Sequence, residues 1–223
     1  MIVFDVHLST MREELRAGIA IYNAGRYHAA HDAWEERWLD LERDTDDERL
    51  LHGLIQFTAA IHHAHDRNWV GAQGLAESAG GYLDGLPADY RGLDLDPVRS
   101  YCALLDADPE AIERGPVPVL THEGEPLDLD DLQFESAAIA ARVVAAEHGS
   151  SGERGGSFDE ETLERAIEYA RTDLDAGHET SPFVTLVMDF ARDDANRGIA
   201  YQRLVQHVER RSDRDDDVAG LFD

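Results

Sequence analysis

The chain of 223 residues contains no lysine; all 20 residues counted as Lys plus Arg are arginine. It has one cysteine, Cys102, so no internal disulfide can form and nothing points to an oxidising compartment. It has no apolar run of the about 18 residues that would suggest a membrane span. Its start, MIVFDVHLSTMREEL, lacks the basic region, apolar stretch and small-residue cleavage site of a secretory signal. A cytoplasmic protein with no membrane attachment is therefore expected. P-loop, GxGxxG and GxSxG motifs are all missing. Cations are scarce: 20 stand against 47 acidic residues, and direct nucleic-acid binding through a basic face is not expected.

The net charge of -27 would make the chain repel itself in dilute buffer. In molar salt the Debye length falls to about 3 Å and that repulsion largely vanishes. An acidic tail would concentrate the charge in one block. Here the acids run from Asp5 to Asp223. The pattern resembles that of proteins from organisms that accumulate salt in the cytoplasm. A hydrophobic fraction of 43% is enough for a packed core.

Helical periodicity dominates. Helices are expected over about residues 9–25, 27–41, 47–66 and 69–85, the first capped by Ser9 or Thr10 with Glu13 as capping-box partner. The third, with LLHGLIQFTAAIHHAH, is apolar on most faces and reads as a central buried helix. Shorter helices are expected at about 98–105 and 109–114. The segment GPVPVLTHEGEPLDLDDL reads as an extended connector with a strand or two. A further helix follows at about 132–148. The run GSSGERGGS is a linker. Two or three helices then span about 159–211, one starting at Ser181-Pro182, before a charged tail in which Leu221 and Phe222 could dock. The fold class is all-α: a multi-helix bundle over 1–114, a connector, helix and linker over 115–158, and a helical extension over 159–223, packed on the bundle as one folded body.

The second helix places Tyr27, His31, Trp34 and Trp38 on one face, with Glu35 beside His31. That face is apolar and inward, so His31 and Glu35 need partners. On the third helix His52, Gln56, Ala59 and His63 form a stripe. The two polar sets are expected to meet across the helix pair. Six of the eleven histidines lie between His28 and His65. A buried hydrogen-bond network explains this pattern. So does a metal or acid–base site, since helix bundles build such sites from inward His and Glu. The metal ligands would be His31, Glu35 and His63, and His with carboxylate suits a divalent transition metal. The spacings His28-x2-His31, His31-x3-Glu35 and His62-x2-His65 are each weak signals, and none is the HExxH pattern. Trp34, Trp38 and Trp69 read as core rather than as a stacking platform. Cys102 reads as a small buried hydrophobe. His122, His148, His178 and His207 are scattered and expected at the surface.

GRYHAAHDAWEERW followed by LLHGLIQFTAAIHHAHDRNWVGA resembles the helical family catalogued as domain of unknown function 309. Its pattern is an EAHE-x-x-E-x-x-W helix, a GLIQ-x-A helix ending in His, and a Gly-Asn-x-x-Gly-Ala turn. His31, Glu35 and Trp38 match the first motif; Gly53 to Gln56, His63, Asn68, Gly71 and Ala72 match the second. The resemblance covers about 25–83. It implies structural roles for Trp38, Gly53, Asn68 and Gly71, and it brings the label of a metal-dependent hydrolase that is sometimes attached to the family. Ala29 and Asp32 stand where the pattern has Glu, and Arg67 where it has Gly. His31, Glu35, Gln56 and His63 remain as site candidates. Three functions stand side by side: a helical protein with a structural polar core, a metal-dependent hydrolase using a metal-bound water, and a module whose groove receives a partner helix or peptide; a homo-oligomer or a protein partner is left open.

Overall fold

The structure, a computed structural model, describes residues 3–150 and 158–219, with side chains described for 11–147 and 158–214. It is mostly helical, 72%, with nine α-helices and one small antiparallel sheet among the described residues. None of these helices is long and apolar enough to cross a membrane. The chain divides into two compact units, Met1–Leu132 and Gln133–Asp223.

In the first unit α1 spans Val3–Asn23, α2 Tyr27–Leu39, α3 Asp46–His65, α4 Trp69–Leu83 and α5 Asp96–Ala107. Ser9 and Thr10 lie inside α1 and do not cap it. Once a turn exists, each added residue gains a backbone bond for two dihedrals fixed, so a helix runs past a weak internal cap. Met11, Leu15, Ile19 and Tyr22 recur at helical spacing on its buried face. Thr45 caps α3 by accepting from the Glu48 amide. Asp46, Asp47 and Glu48 fill its first turn and His62, His63 and His65 its last, charges that complement the helix dipole. Leu50, Leu51, Leu54, Phe57 and Ile61 are fully buried, which makes α3 the centre of the unit, flanked by α2 and α4. A Cβ on Gly53 would stand 2.6 Å from Leu83 Cδ2, so the missing side chain is what lets α4 approach. Cys102 is buried, and burial pushes its thiol up to about 12.

Residues 109–114 form a 3-10 turn, Pro109–Glu113. The connector supplies β3, Thr121–His122, and β4, Glu125–Pro126. These join β1, Asp89–Tyr90, and β2, Leu93–Asp94, in the antiparallel order β1-β2-β3-β4. Both hairpins turn on left-handed pairs, Arg91-Gly92 and Glu123-Gly124. That is the backbone of a type I′ turn. Asn23 ties the sheet region to α1, its amide donating to Leu120 O and Leu127 O at 2.8 Å each. His122, expected at the surface, is 3% exposed. It pairs with Leu93 across the sheet, and Arg16 of α1 reaches its Nδ1 at 3.2 Å. His178 is exposed and His207 half-buried, while the His148 side chain lies outside the described residues.

The second unit holds α6, Phe134–Ser150; α7, Glu160–Asp175; α8, Pro182–Arg192; and α9, Arg197–Ala219. Ser181 caps α8 by accepting from Val184 N, with Pro182 in its first turn. α8 touches α6, α7 and α9. Ala141 and Val144, Leu163 and Ile167, Phe183, Val187 and Phe190, and Leu204 form the core. Ile199 is 52% exposed and stays outside it. The expected charged tail is instead the end of α9. Most of the GSSGERGGS run, together with Leu221 and Phe222, lies outside the described residues.

Candidate functional site

α2 turns a face of small residues inward. Ala30, Ala33, Trp34 and Arg37 are buried, while His31, Asp32, Glu35 and Trp38 are half-buried beside them. The inward face is therefore centred away from the line through His31 and Trp38 that helical spacing suggested. The alanines let neighbouring helices close on it. Arg37 stays inside because Glu14 of α1 reaches to 3.6 Å from its Nε. Burial pushes the Glu14 carboxyl up to about 7 against the pull of Arg37.

His31 and its neighbours form the polar edge of α2. His31 Nδ1 is 3.0 Å from Asp32 Oδ1. An ionised carboxylate only accepts, so Nδ1 carries the proton and Nε2 is left as the second ring donor atom. The other Asp32 oxygen is 3.5 Å from His28 Nδ1. The Asp32 bond raises the His31 pKa; burial opposes this and Glu35 adds to it. His31, Asp32 and Glu35 each offer a ligand atom, and the three atoms lie within 4.8 Å of one another. Among the described residues this is the one group of three potential ligands that converges so closely.

The α3 candidates sit differently. His63 is half-buried, and its Nδ1 is 2.6 Å from Asn68 Nδ2. Asn68 also caps α4, accepting from Gly71 N at 3.2 Å. A Cβ on Gly71 would stand 2.6 Å from Asn68 Nδ2 and 3.0 Å from His63 Nδ1, so only glycine leaves room for this corner. Gln56 is half-buried. No direct hydrogen bond among the described residues joins Gln56 or His63 to His31 or Glu35. Between His31 and His63 runs a file of rings: His31 to His28 at 6.0 Å between centroids, His28 to His62 at 5.6 Å, and His62 to His63 at 6.2 Å. Asp32 was not among the site candidates taken from the sequence. Its signal is its place directly after His31 in the motif, although adjacent helical residues point about 100° apart.

Residues 15–75 match a family model described as Domain of unknown function (DUF309). This segment is a DUF309 domain. No curated protein matches the chain. The DUF309 segment takes in the C-terminal part of α1, all of α2 and α3 and the start of α4, so every site candidate lies inside it. Arg91 and His122, both bonded to side chains of the DUF309 segment, lie outside it.

Proposed function

We propose that the DUF309 segment binds a divalent transition metal through His31, Asp32 and Glu35, and that the site supports hydrolysis. The convergence of one nitrogen and two oxygen donors within 4.8 Å carries this reading. Ligands held about 2.1 Å from a metal stand about 3.4 Å apart in a tetrahedral site. The three donors therefore need only small side-chain rotations to close on one ion. A half-buried edge leaves a position for water and substrate. A bound metal of this kind lowers the pKa of its water toward neutrality. For the residues themselves, the His31 ring and the Asp32 carboxylate, now 3.0 Å apart, would part to take the ion between them. Glu35 supplies the second charge that offsets the metal. His63, tied to Asn68, serves as a neighbour from α3 in place of the direct ligand role expected from the sequence.

Calorimetric titration of the purified, chelator-treated chain with Zn²⁺ or Mn²⁺ in molar KCl is the test. One ion per chain should bind, and His31→Ala and Glu35→Gln should each weaken it by about 10–100-fold. Because Asp32 raises the His31 pKa, protons compete for the site and affinity should fall as the solution becomes acidic. Unchanged affinity in both variants would remove the site.

A further inference from the structure

α4 and α5 run antiparallel and leave a groove between them. Gln73 donates to Asp106 O at 2.7 Å at one end, and Arg99 donates to Leu83 O at 2.9 Å at the other. The groove encloses about 410 Å³, within the range of small-molecule sites. Its floor is nearly bare of side chains: Ala76, Gly80 and Gly81 come from α4 and Ala103 from α5. Packing inside the chain does not require these two glycines. A Cβ on Gly81 would meet no neighbouring element within 4 Å, and one on Gly80 would meet only Cys102 Cβ at 3.9 Å, an ordinary contact. Glycine in a helix interior weakens the helix relative to alanine. Gly53 lets two helices close on each other; Gly80 and Gly81 instead keep a channel open.

In a chain with 47 acids a lone carboxylate marks nothing. Here carboxylates stand at the two ends of the channel. Glu77 and Asp106 lie toward the Gln73 end, and Asp84 toward the Arg99 end. Seven residues separate Glu77 from Asp84, about 10 Å along α4 and on the same side of it. None of the three carboxylates has a hydrogen-bond or ion-pair partner among the described residues. Arg99 also lines the groove, but its donors go to Leu83 O, Leu86 O and Asp96. Three carboxylates and one guanidinium leave the lining two charges negative.

We propose that this groove binds a linear aliphatic diamine, with its methylene chain on the Gly–Ala floor and one ammonium at each acidic end, independent of the proposed metal group on α2. An ammonium donates three hydrogen bonds and accepts none, which matches carboxylates that have no donor of their own. An extended chain of eight carbons, with bonds of about 1.5 Å, holds its two nitrogens about 11 Å apart, close to the span between the ends.

Calorimetric titration of the full chain is the test, with a chelator present and in the lowest KCl that keeps the chain folded by circular dichroism. The probe is 1,8-diaminooctane, and one molecule per chain should bind. n-Octylamine presents one ammonium, as a lysine side chain would, and 1,4-diaminobutane is too short to span the ends. Each should bind at least about 5-fold more weakly, the scale of one ion pair lost. Gly80→Leu fills the floor without displacing a neighbour and should abolish binding while the circular dichroism spectrum stays that of the parent. Asp84→Asn should reduce the diamine to the affinity of octylamine. His31→Ala should bind the diamine as the parent does, which separates this site from the metal reading. Equal affinity for octylamine and the diamine would overturn the two-ended recognition. Parent-like binding by Gly80→Leu, or no binding of the diamine to the parent, would overturn the site itself.

Discussion

His122 shows how one residue can tie a sheet to a helix and make the contact sensitive to acid. Its side chain is fully buried, Arg16 donates to Nδ1, and Nε2 is buried without a partner. Burial is the first cause that lowers its pKa, and Arg16 and Arg12 add to it; Glu123 and Asp89 work the other way. The folded state therefore favours the neutral ring. A histidine with a lowered folded pKa adds stability that is present above its ordinary value and is lost as pH falls through the folded value. Melting temperature should drop as pH falls below about 6.5. In His122→Asn, whose amide oxygen can take the place of Nδ1 without protonating, that part of the drop should shrink. His122→Leu, which leaves Arg16 short of one acceptor, should cost about 1–3 kcal/mol at neutral pH. Equal acid slopes in the parent and His122→Asn would show that the ring does not titrate with unfolding. Nothing in the sequence flagged this residue, because its burial comes from a strand pairing with Leu93 and from α1, far away along the chain.

Helices were legible from periodicity because their own residues carry the pattern, and the fold class and the order of α2 to α5 follow it. The β1–β2 hairpin was not, because its turn is Arg91-Gly92 and lacks the Asn or Asp that usually announces two left-handed residues. At the candidate site, the closeness of His31 and Glu35 was readable from spacing. The place of Asp32 in the group depends on side-chain rotation that a helical wheel does not contain. The inward face of α2 was misplaced because buried Arg37 reads as polar until Glu14 is seen beside it. The residues after 158 looked too few to bury their own apolar side chains. The structure answers this with α6, which packs on α7 and α8. Arg142 of α6 pairs with Glu164 of α7, and Arg171 of α7 lies 2.6 Å from Glu135 of α6. A protease site engineered into residues 151–157 tests that packing. After cleavage in high salt, the two fragments should elute together from a sizing column and dissociate only in denaturant. Separate elution would mean that α6 is not held by the helices that follow it.

At the scale of the whole molecule, charge decides the conditions under which the fold is stable. The chain carries 47 acids and 20 arginines. Most of the arginines are already ion-paired, among them Arg12 with Glu123, Arg91 with Asp47, Arg171 with Glu135 and Arg211 with Asp173. Exposed pairs of this kind are worth about 0–1 kcal/mol each. They also use up the cations, so most of the carboxylates face one another with no counter-charge from the protein. Self-repulsion of that kind favours the expanded chain, and it acts over the Debye length, about 10 Å at 0.1 M salt and about 3 Å at 1 M. Salt weakens the ion pairs too, but their small individual worth makes the relief of repulsion the larger effect. We infer a protein adapted to high salt, and the inference has a direct measurement. Thermal melts followed by circular dichroism in about 0.1 M and about 3 M KCl should differ by at least about 10 °C, with the higher midpoint in the concentrated salt; for a chain of this size that shift corresponds to about 3–5 kcal/mol. Replacing KCl by a non-ionic osmolyte separates screening from general exclusion of cosolvent, since the osmolyte strengthens burial without shortening the Debye length. The osmolyte should recover only part of the gain. Equal midpoints in dilute and concentrated KCl would mean that the acidic surface has some role other than tolerance of salt.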